Sequence, residues 1–224
     1  MAADVAADVE AYEPPACEHR VYIVDDDDSF RTSLVRLLGI VGLFPVPCRS
    51  VGDYLLTERP DCPSCIVLDL WMPGPSGLDL LAFLATQKHA APPVIFVTAF
   101  NDIPATVRAM KAGAMDSLTK PLDTPRLLQS VREALARDIE RRAARRELEQ
   151  LQSRYFELSP CERDVYLGVV NGKLNKQLSL KLGLCERSIK LHRSNVMRKM
   201  QVSSLAGLVK TAKLLDVLGD APEL

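Results

Sequence analysis

The chain has 224 residues, 47% hydrophobic and 25% charged, which is enough for one large or two small soluble domains without a disulfide or metal staple. Its longest apolar stretch, residues 37–46, is broken by Gly39, Gly42 and Pro45 and is too short to cross a bilayer. The net charge of −1 hides an asymmetry: residues 159–213 hold 11 Lys and Arg against 3 Asp and Glu, a net +8, which leaves about −9 elsewhere. A basic third beside an acidic remainder points to a polyanionic partner for the basic part alone.

The first residues are acidic (Asp4, Asp8, Glu10) and lack the apolar core of a secretory signal, so a reducing, cytoplasmic setting with free thiols is the expectation for the six cysteines. Only Cys62-Pro63-Ser64-Cys65 has ligand-like or redox-like spacing. A zinc site needs a second pair, and none is nearby, which favours a loop Cys and a buried strand Cys acting as a small hydrophobe.

Residues 1–19 are rich in Ala and acid, with Pro14-Pro15 and no periodicity, and are predicted to be a disordered tail. Strands and helices then alternate. Residues 20–25 (RVYIVD) form an apolar strand, residues 29–41 have helical spacing, and residues 44–48, with two prolines, suit an edge strand. Ser50 with Asp53, and Ser76 with Asp79, open helices as capping boxes on either side of the apolar strand 65–70 (CIVLDL). Residues 94–98 (VIFVT) make another strand, residues 102–112 a helix closed by Gly113, and residues 115–119 a last short strand before Lys120-Pro121. Five strands alternating with helices predict an α/β fold, a five-stranded parallel sheet covered on both faces. In such sheets chemistry gathers at the carboxyl ends of the strands.

From Pro125 to about Leu158 one helical pattern runs on, with Leu128, Val131, Leu135 and Ile139 as its first apolar stripe and Leu148, Leu151, Tyr155 and Leu158 as its second. Between them lies a charged segment bearing Arg141, Arg142, Arg145 and Arg146, which fits equally a solvated linker helix and a dimerising coiled coil. Then comes an all-α unit. Ser159-Pro160-Cys161-Glu162 caps a helix to Gly172, residues 175–182 form a short one, Gly183 turns, residues 185–200 form the next, and Ser203 or Ser204 opens a last one reaching about Leu218. Two helices across a tight glycine turn match a helix-turn-helix. The predicted domains are 1–19, 20–124, 125–157 and 158–224.

Asp25 and Asp26 end the first strand and Asp69 the third; Thr98 ends the fourth, and Lys120 follows the fifth. In a parallel sheet all five converge on one edge. Three carboxylates brought together need a shared cation, and hard oxygen ligands suit Mg²⁺. A carboxylate there, with a hydroxyl and an ammonium at hand, can accept a phosphoryl group. The plainer alternative is a set of unrelated strand-end acids.

With Val24-Asp25-Asp26, Leu68-Asp69-Leu70-Trp71-Met72-Pro73-Gly74, Val97-Thr98-Ala99 and Lys120-Pro121, residues 20–122 resemble the receiver domain of two-component response regulators. The stretches 101–104 and 110–114 resemble its FixJ-type branch. The resemblance implies a doubly wound, flavodoxin-like domain with Asp69 as phosphoryl acceptor. It implies Mg²⁺ held by Asp26, Asp69 and the backbone carbonyl of Trp71, with Asp25 acting through water, and Thr98 and Lys120 on the phosphoryl oxygens. Such domains usually carry Tyr or Phe three residues before the lysine; here it is Ser117, so the usual aromatic switch cannot be carried over. Trp71 and Phe100 flank the implied approach of hydrolytic water and suggest a long-lived phosphoryl group.

Residues 159–213 resemble the LuxR/FixJ-type helix-turn-helix domain through residues 158–163, Asn175-Lys176, residues 187–193 and residues 196–200. Cys185 replaces the usual Ser or Thr cap, which should weaken it. A helical wheel puts Ile189, Val196 and Met200 inside and Arg187, Lys190, Leu191, Ser194 and Arg198 outside. The resemblance implies base contacts from Lys190, Leu191 and Ser194; Lys176, Arg187, Arg198 and Lys199 suit phosphates. It implies a sensor histidine kinase, duplex DNA, RNA polymerase and a second copy of the chain as partners, and a transcription regulator rather than an enzyme. Two rivals are a phosphorylation-independent sensor domain, which Ser117 keeps open, and an aspartate-based phosphatase, which lacks a second acid because Trp71 stands two residues after Asp69.

Overall fold

A computed structural model describes residues 19–87, 91–99 and 103–216. The tail assigned to residues 1–19 falls almost wholly outside the described residues, as do Phe100, Asn101, Asp102 and the last predicted turn at 217–218. The chain divides into two compact units, Met1–Arg142 and Ala143–Leu224.

In the first unit β1 (Arg20–Val24), β2 (Phe44–Cys48), β3 (Ser64–Asp69), β4 (Val94–Thr98) and β5 (Asp116–Thr119) form one parallel sheet in the order β2-β1-β3-β4-β5. The proline-bearing β2 lies at an edge, where its missing N–H groups cost no ladder bond. Between the strands run α1 (Asp28–Ile40), α2 (Val51–Leu56), α3 (Gly77–Thr86) and α4 (Ile103–Lys111), and α5 (Thr124–Phe156) follows β5. Alternate strand residues feed opposite faces, as the period of two demands. Tyr22, Val24, Ile66, Leu68 and Phe96 pack with Tyr54, Leu80, Leu84, Ala105 and Ala109 on one face. Val21, Ile23, Val67, Ile95, Val97 and Leu118 pack with Leu34, Leu38, Leu127, Val131 and Ala134 on the other.

The buried stripe of α5 differs from the predicted one. Leu127, Val131, Ala134 and Leu135 are inside, but Ile139 is exposed and Asp138 is fully buried. The apolar periodicity did not reveal this because the position is filled by an acid. Asp138 accepts the Ser64 N–H at 2.9 Å and the Arg142 Nε at 2.6 Å, and also pairs with Arg141; Arg142 reaches on to Asp61. Cys62 and Cys65 of the Cys-x-x-Cys stretch are both buried, and burial pushes the Cys65 thiol far above its usual range, so the thiol stays protonated and inert.

In the second unit the end of α5 packs with α6 (Pro160–Val170), α7 (Asn175–Leu182), α8 (Glu186–Lys199) and α9 (Leu205–Leu214) around Leu151, Leu158, Val165, Tyr166, Ile189, Val196, Met200 and Leu208. Gly183, at φ +66°, makes the turn between α7 and α8. Tyr166 places its hydroxyl 3.1 Å from Thr211 on α9.

Candidate functional site

Four of the five strands deliver functional side chains to the carboxyl edge, β2 being the exception. Asp25 and Asp26 follow β1, Asp69 closes β3, Thr98 closes β4, and Lys120 follows β5. Asp25, Asp69 and Thr98 are buried, whereas Asp26 is exposed. The carboxylates of Asp25, Asp26 and Asp69 approach so closely that one oxygen of each lies within 4.8 Å of the others. The Lys120 ammonium bridges two of them, 2.7 Å from Asp25 Oδ2 and 3.0 Å from Asp69 Oδ2.

The backbone holds this cluster in place. The Asp27 N–H donates to Asp25 Oδ1 at 2.9 Å, and Asp27 in turn caps α1 by accepting the N–H groups of Ser29 and Phe30. Arg31 reaches back from α1 to donate to the Asp25 carbonyl at 2.6 Å. The Trp71 N–H donates to Asp69 Oδ1 at 3.0 Å. Burial is the largest influence on Asp25 and raises its pKa, against the Lys120 and Asp27 hydrogen bonds; the Asp69 charge adds to the rise. Burial also works against the Lys120 charge, but hydrogen bonds to Asp25 and Asp69 outweigh it and raise its proton affinity. The cluster is thus a concentration of negative charge that a single ammonium only partly offsets, the situation in which a divalent cation binds.

Gly77, at the start of α3, is what lets that helix approach the acceptor strand. A Cβ there would stand 2.3 Å from the Asp69 carbonyl oxygen and 2.8 Å from Phe96 Cε1. Both neighbours are fixed, so Gly77→Ala is expected to destabilise the first unit by about 1–3 kcal/mol through overpacking. Urea titration of the variant beside the parent checks this; an unchanged midpoint would mean that α3 shifts freely.

In the second unit, α8 presents Arg187, Lys190, Leu191, Ser194 and Arg198 as exposed residues, with Ile189 and Val196 buried on the other side. Lys176 is exposed on α7, and Arg193 ties α8 to α7 through Asn175 at 2.8 Å.

Two family models match: the response regulator receiver domain over residues 21–132, and the luxR family of bacterial regulatory proteins over residues 157–212. Nodulation protein W of Bradyrhizobium diazoefficiens is 43% identical over 203 residues, which cover 91% of this chain and 89% of that protein. The transcriptional regulatory protein FixJ of Azorhizobium caulinodans is 40% identical, with 88% of this chain and 93% of the other covered. The low-resolution structure of the response regulator StyR superposes with a TM-score of 0.78 at 38% identity, covering 88% of this chain and 99% of that one. Full-length FixJ from B. japonicum gives 0.51 at 32%, covering 90% and 98%.

This chain is a response regulator. It joins a receiver domain to a LuxR-type DNA-binding domain, and its family regulates transcription.

The acidic residues, Thr98 and Lys120 of the response regulator all stand at the carboxyl edge, and Trp71 follows Asp69 there with its ring half exposed at 51%. Ser117 lies on β5 opposite Phe96 in the register, half-buried, without a ring. Phe100, the second expected flank of the water approach, lies outside the described residues. The Lys199 ammonium is 2.6 Å from Glu162 Oε2 and 3.2 Å from the Glu157 carbonyl, which ties the end of α8 to the start of α6. Burial works against the Glu162 charge, but Lys199 and the Ser159 N–H win and lower its pKa. Cys185 makes no side-chain cap bond to the α8 backbone, and its sulfur instead lies 3.2 Å from Ser188 Oγ. Sequence reasoning missed Phe30, Arg31, Gly77 and Asp138. Of these only Gly77 had a local signal, a glycine at the first helical position after a Ser cap where a side chain would ordinarily serve.

Proposed function

We propose that the receiver domain takes a phosphoryl group on Asp69 from a sensor histidine kinase, and that the modified protein regulates transcription by binding duplex DNA. The observation that carries the reading is the convergence of Asp25, Asp26 and Asp69 within 4.8 Å under the Lys120 ammonium. An Asp69 carboxylate oxygen bonds to phosphorus as the donor P–N bond breaks, and the departing imidazole takes up a proton. Lys120 and Thr98 receive the phosphoryl oxygens. The donor set is all oxygen and suits Mg²⁺, which Asp26, Asp69 and the Trp71 carbonyl would hold, with Asp25 acting through water; the ion would supply charge neutralisation for the transferring group. The chain acts as a switch with no catalytic turnover of its own.

Arg187 and Arg198 on the exposed face of α8, with Lys176 on α7, are our phosphate contacts, and Lys190, Leu191 and Ser194 of α8 our base contacts. Lys199 is not among them. We place the protein in the cytoplasm, in keeping with the lack, among the described residues, of any helix long and apolar enough to cross a membrane. Two copies on paired half-sites and contact with RNA polymerase complete the reading.

Incubation with acetyl phosphate and Mg²⁺, read by intact mass, tests the switch. One stable phosphoryl addition is the expected result; no addition favours a phosphorylation-independent sensor, and many equivalents turned over favour a phosphatase. The DNA face is tested by competition binding at fixed salt. Lys190→Ala is expected to lose about 1–3 kcal/mol of discrimination between operator and random DNA, whereas Arg198→Ala weakens both alike. Identical behaviour of the two variants contradicts the division between base and phosphate contacts.

A further inference from the structure

The Lys120 ammonium has three N–H bonds, and the two carboxylates account for two of them. The remaining side of the nitrogen faces the ring of Phe30, whose centroid is 4.0 Å away. That is a close cation–π approach, and it occurs where the Lys120 side chain is only 18% exposed, so water competes poorly for the third proton. Phe30 is itself held from both sides. Its backbone N–H donates to the Asp27 cap at 3.2 Å, and its ring packs against the core cluster that contains Leu34 and Leu118. The same Asp27 donates its own N–H to Asp25. The turn that aims the acid pair therefore also seats the ring that holds the lysine.

We infer that Phe30 is a positioning residue of the phosphoacceptor site, its ring face holding the Lys120 ammonium against Asp25 and Asp69. This rests on the reading of Asp69 as phosphoryl acceptor. The ring occupies one side of the ammonium and leaves the other two donors aimed at the carboxyl edge, where one of them exchanges a carboxylate oxygen for a phosphoryl oxygen without loss of the cation from the site. An aliphatic residue in this place fills the core but offers no negative face. The lysine then spends time in orientations that do not meet the phosphoryl group.

The test has an arm that needs neither metal nor phosphodonor. In the metal-free full-length protein, the ε-methylene protons of Lys120 are expected to be shifted upfield by the Phe30 ring current, and Phe30→Leu to return them to the ordinary lysine position. Unmoved resonances overturn the placement of the ring. The second arm measures phosphorylation by acetyl phosphate at saturating Mg²⁺. Phe30→Leu is expected to slow the maximal rate about fivefold, Phe30→Tyr to restore it, and progressively fluorinated phenylalanine at position 30 to lower it stepwise at constant shape, in proportion to the lost cation–π attraction. A fluorinated series with flat rates overturns the positioning role. Failure of the parent protein to label at all overturns the acceptor reading instead, and the resonance arm still decides whether Phe30 holds Lys120.

Discussion

Asp69→Asn is expected to abolish labelling by acetyl phosphate. Three acids share the carboxyl edge, but their surroundings differ. Asp25 is the more deeply buried of the pair on Lys120, with one oxygen held by the Asp27 N–H and the other by the ammonium at 2.7 Å, and it lies off the central strand. Asp26 is exposed, and the two acids that the Lys120 ammonium meets are Asp25 and Asp69. Asp69 combines what acceptance needs: a position at the end of the central strand β3, a lysine 3.0 Å away to offset incoming charge, and a backbone N–H that orients one oxygen. The substitution replaces a charged nucleophile with an amide of nearly the same shape, so the fold should persist while chemistry stops. Intact mass with peptide mapping decides the outcome. Undiminished labelling, or a phosphoryl group recovered on Asp25 in the parent, contradicts the assignment.

Asp138→Ala is expected to be the most destabilising single change in the receiver domain, by about 3–5 kcal/mol, because it breaks a buried ion network from its centre. Asp138 is fully buried and holds the Ser64 N–H, Arg141 and Arg142 together. Its loss leaves a strand amide without its acceptor and strips the buried Arg142 of its buried carboxylate, with only Asp61 left to it among the described residues. Denaturant unfolding followed by the fluorescence of the single tryptophan, Trp71, reports on this domain alone. Joint replacement by Asp138→Leu and Arg142→Met is expected to recover much of the loss, since an apolar pair carries no desolvation cost. A loss below about 1 kcal/mol for Asp138→Ala would mean that water enters and solvates the arginines.

The strand-end residues were legible in the sequence because each terminates a short apolar run, and a parallel sheet sends all such ends to one edge. Phe30, Arg31 and Asp138 were not, for a common reason. Their roles depend on partners brought together only by folding, as with the Ser64 amide, 74 positions from Asp138. Periodicity even misdirected α5, since an acid on the buried face reads as a solvent position until the arginines beside it are seen to turn inward with it. The pairing of Lys199 was hidden for a different reason. A helical wheel shows which residues share a face of α8, but it does not show that Glu162 of α6 meets the last turn of that helix.

The Lys199–Glu162 pair divides the positive charge of the DNA-binding domain into two pools with different responses to ionic strength. Lys176, Arg187, Lys190 and Arg198 stand in water, so each cation that meets a phosphate displaces a counterion, and added salt weakens that grip steeply. Glu162 is almost wholly shielded, and mobile ions screen such a pair far less. Rising salt therefore detaches the domain from DNA while the clamp between α6 and α8 stays closed, so what is released is a folded domain with its recognition surface ready for the next encounter.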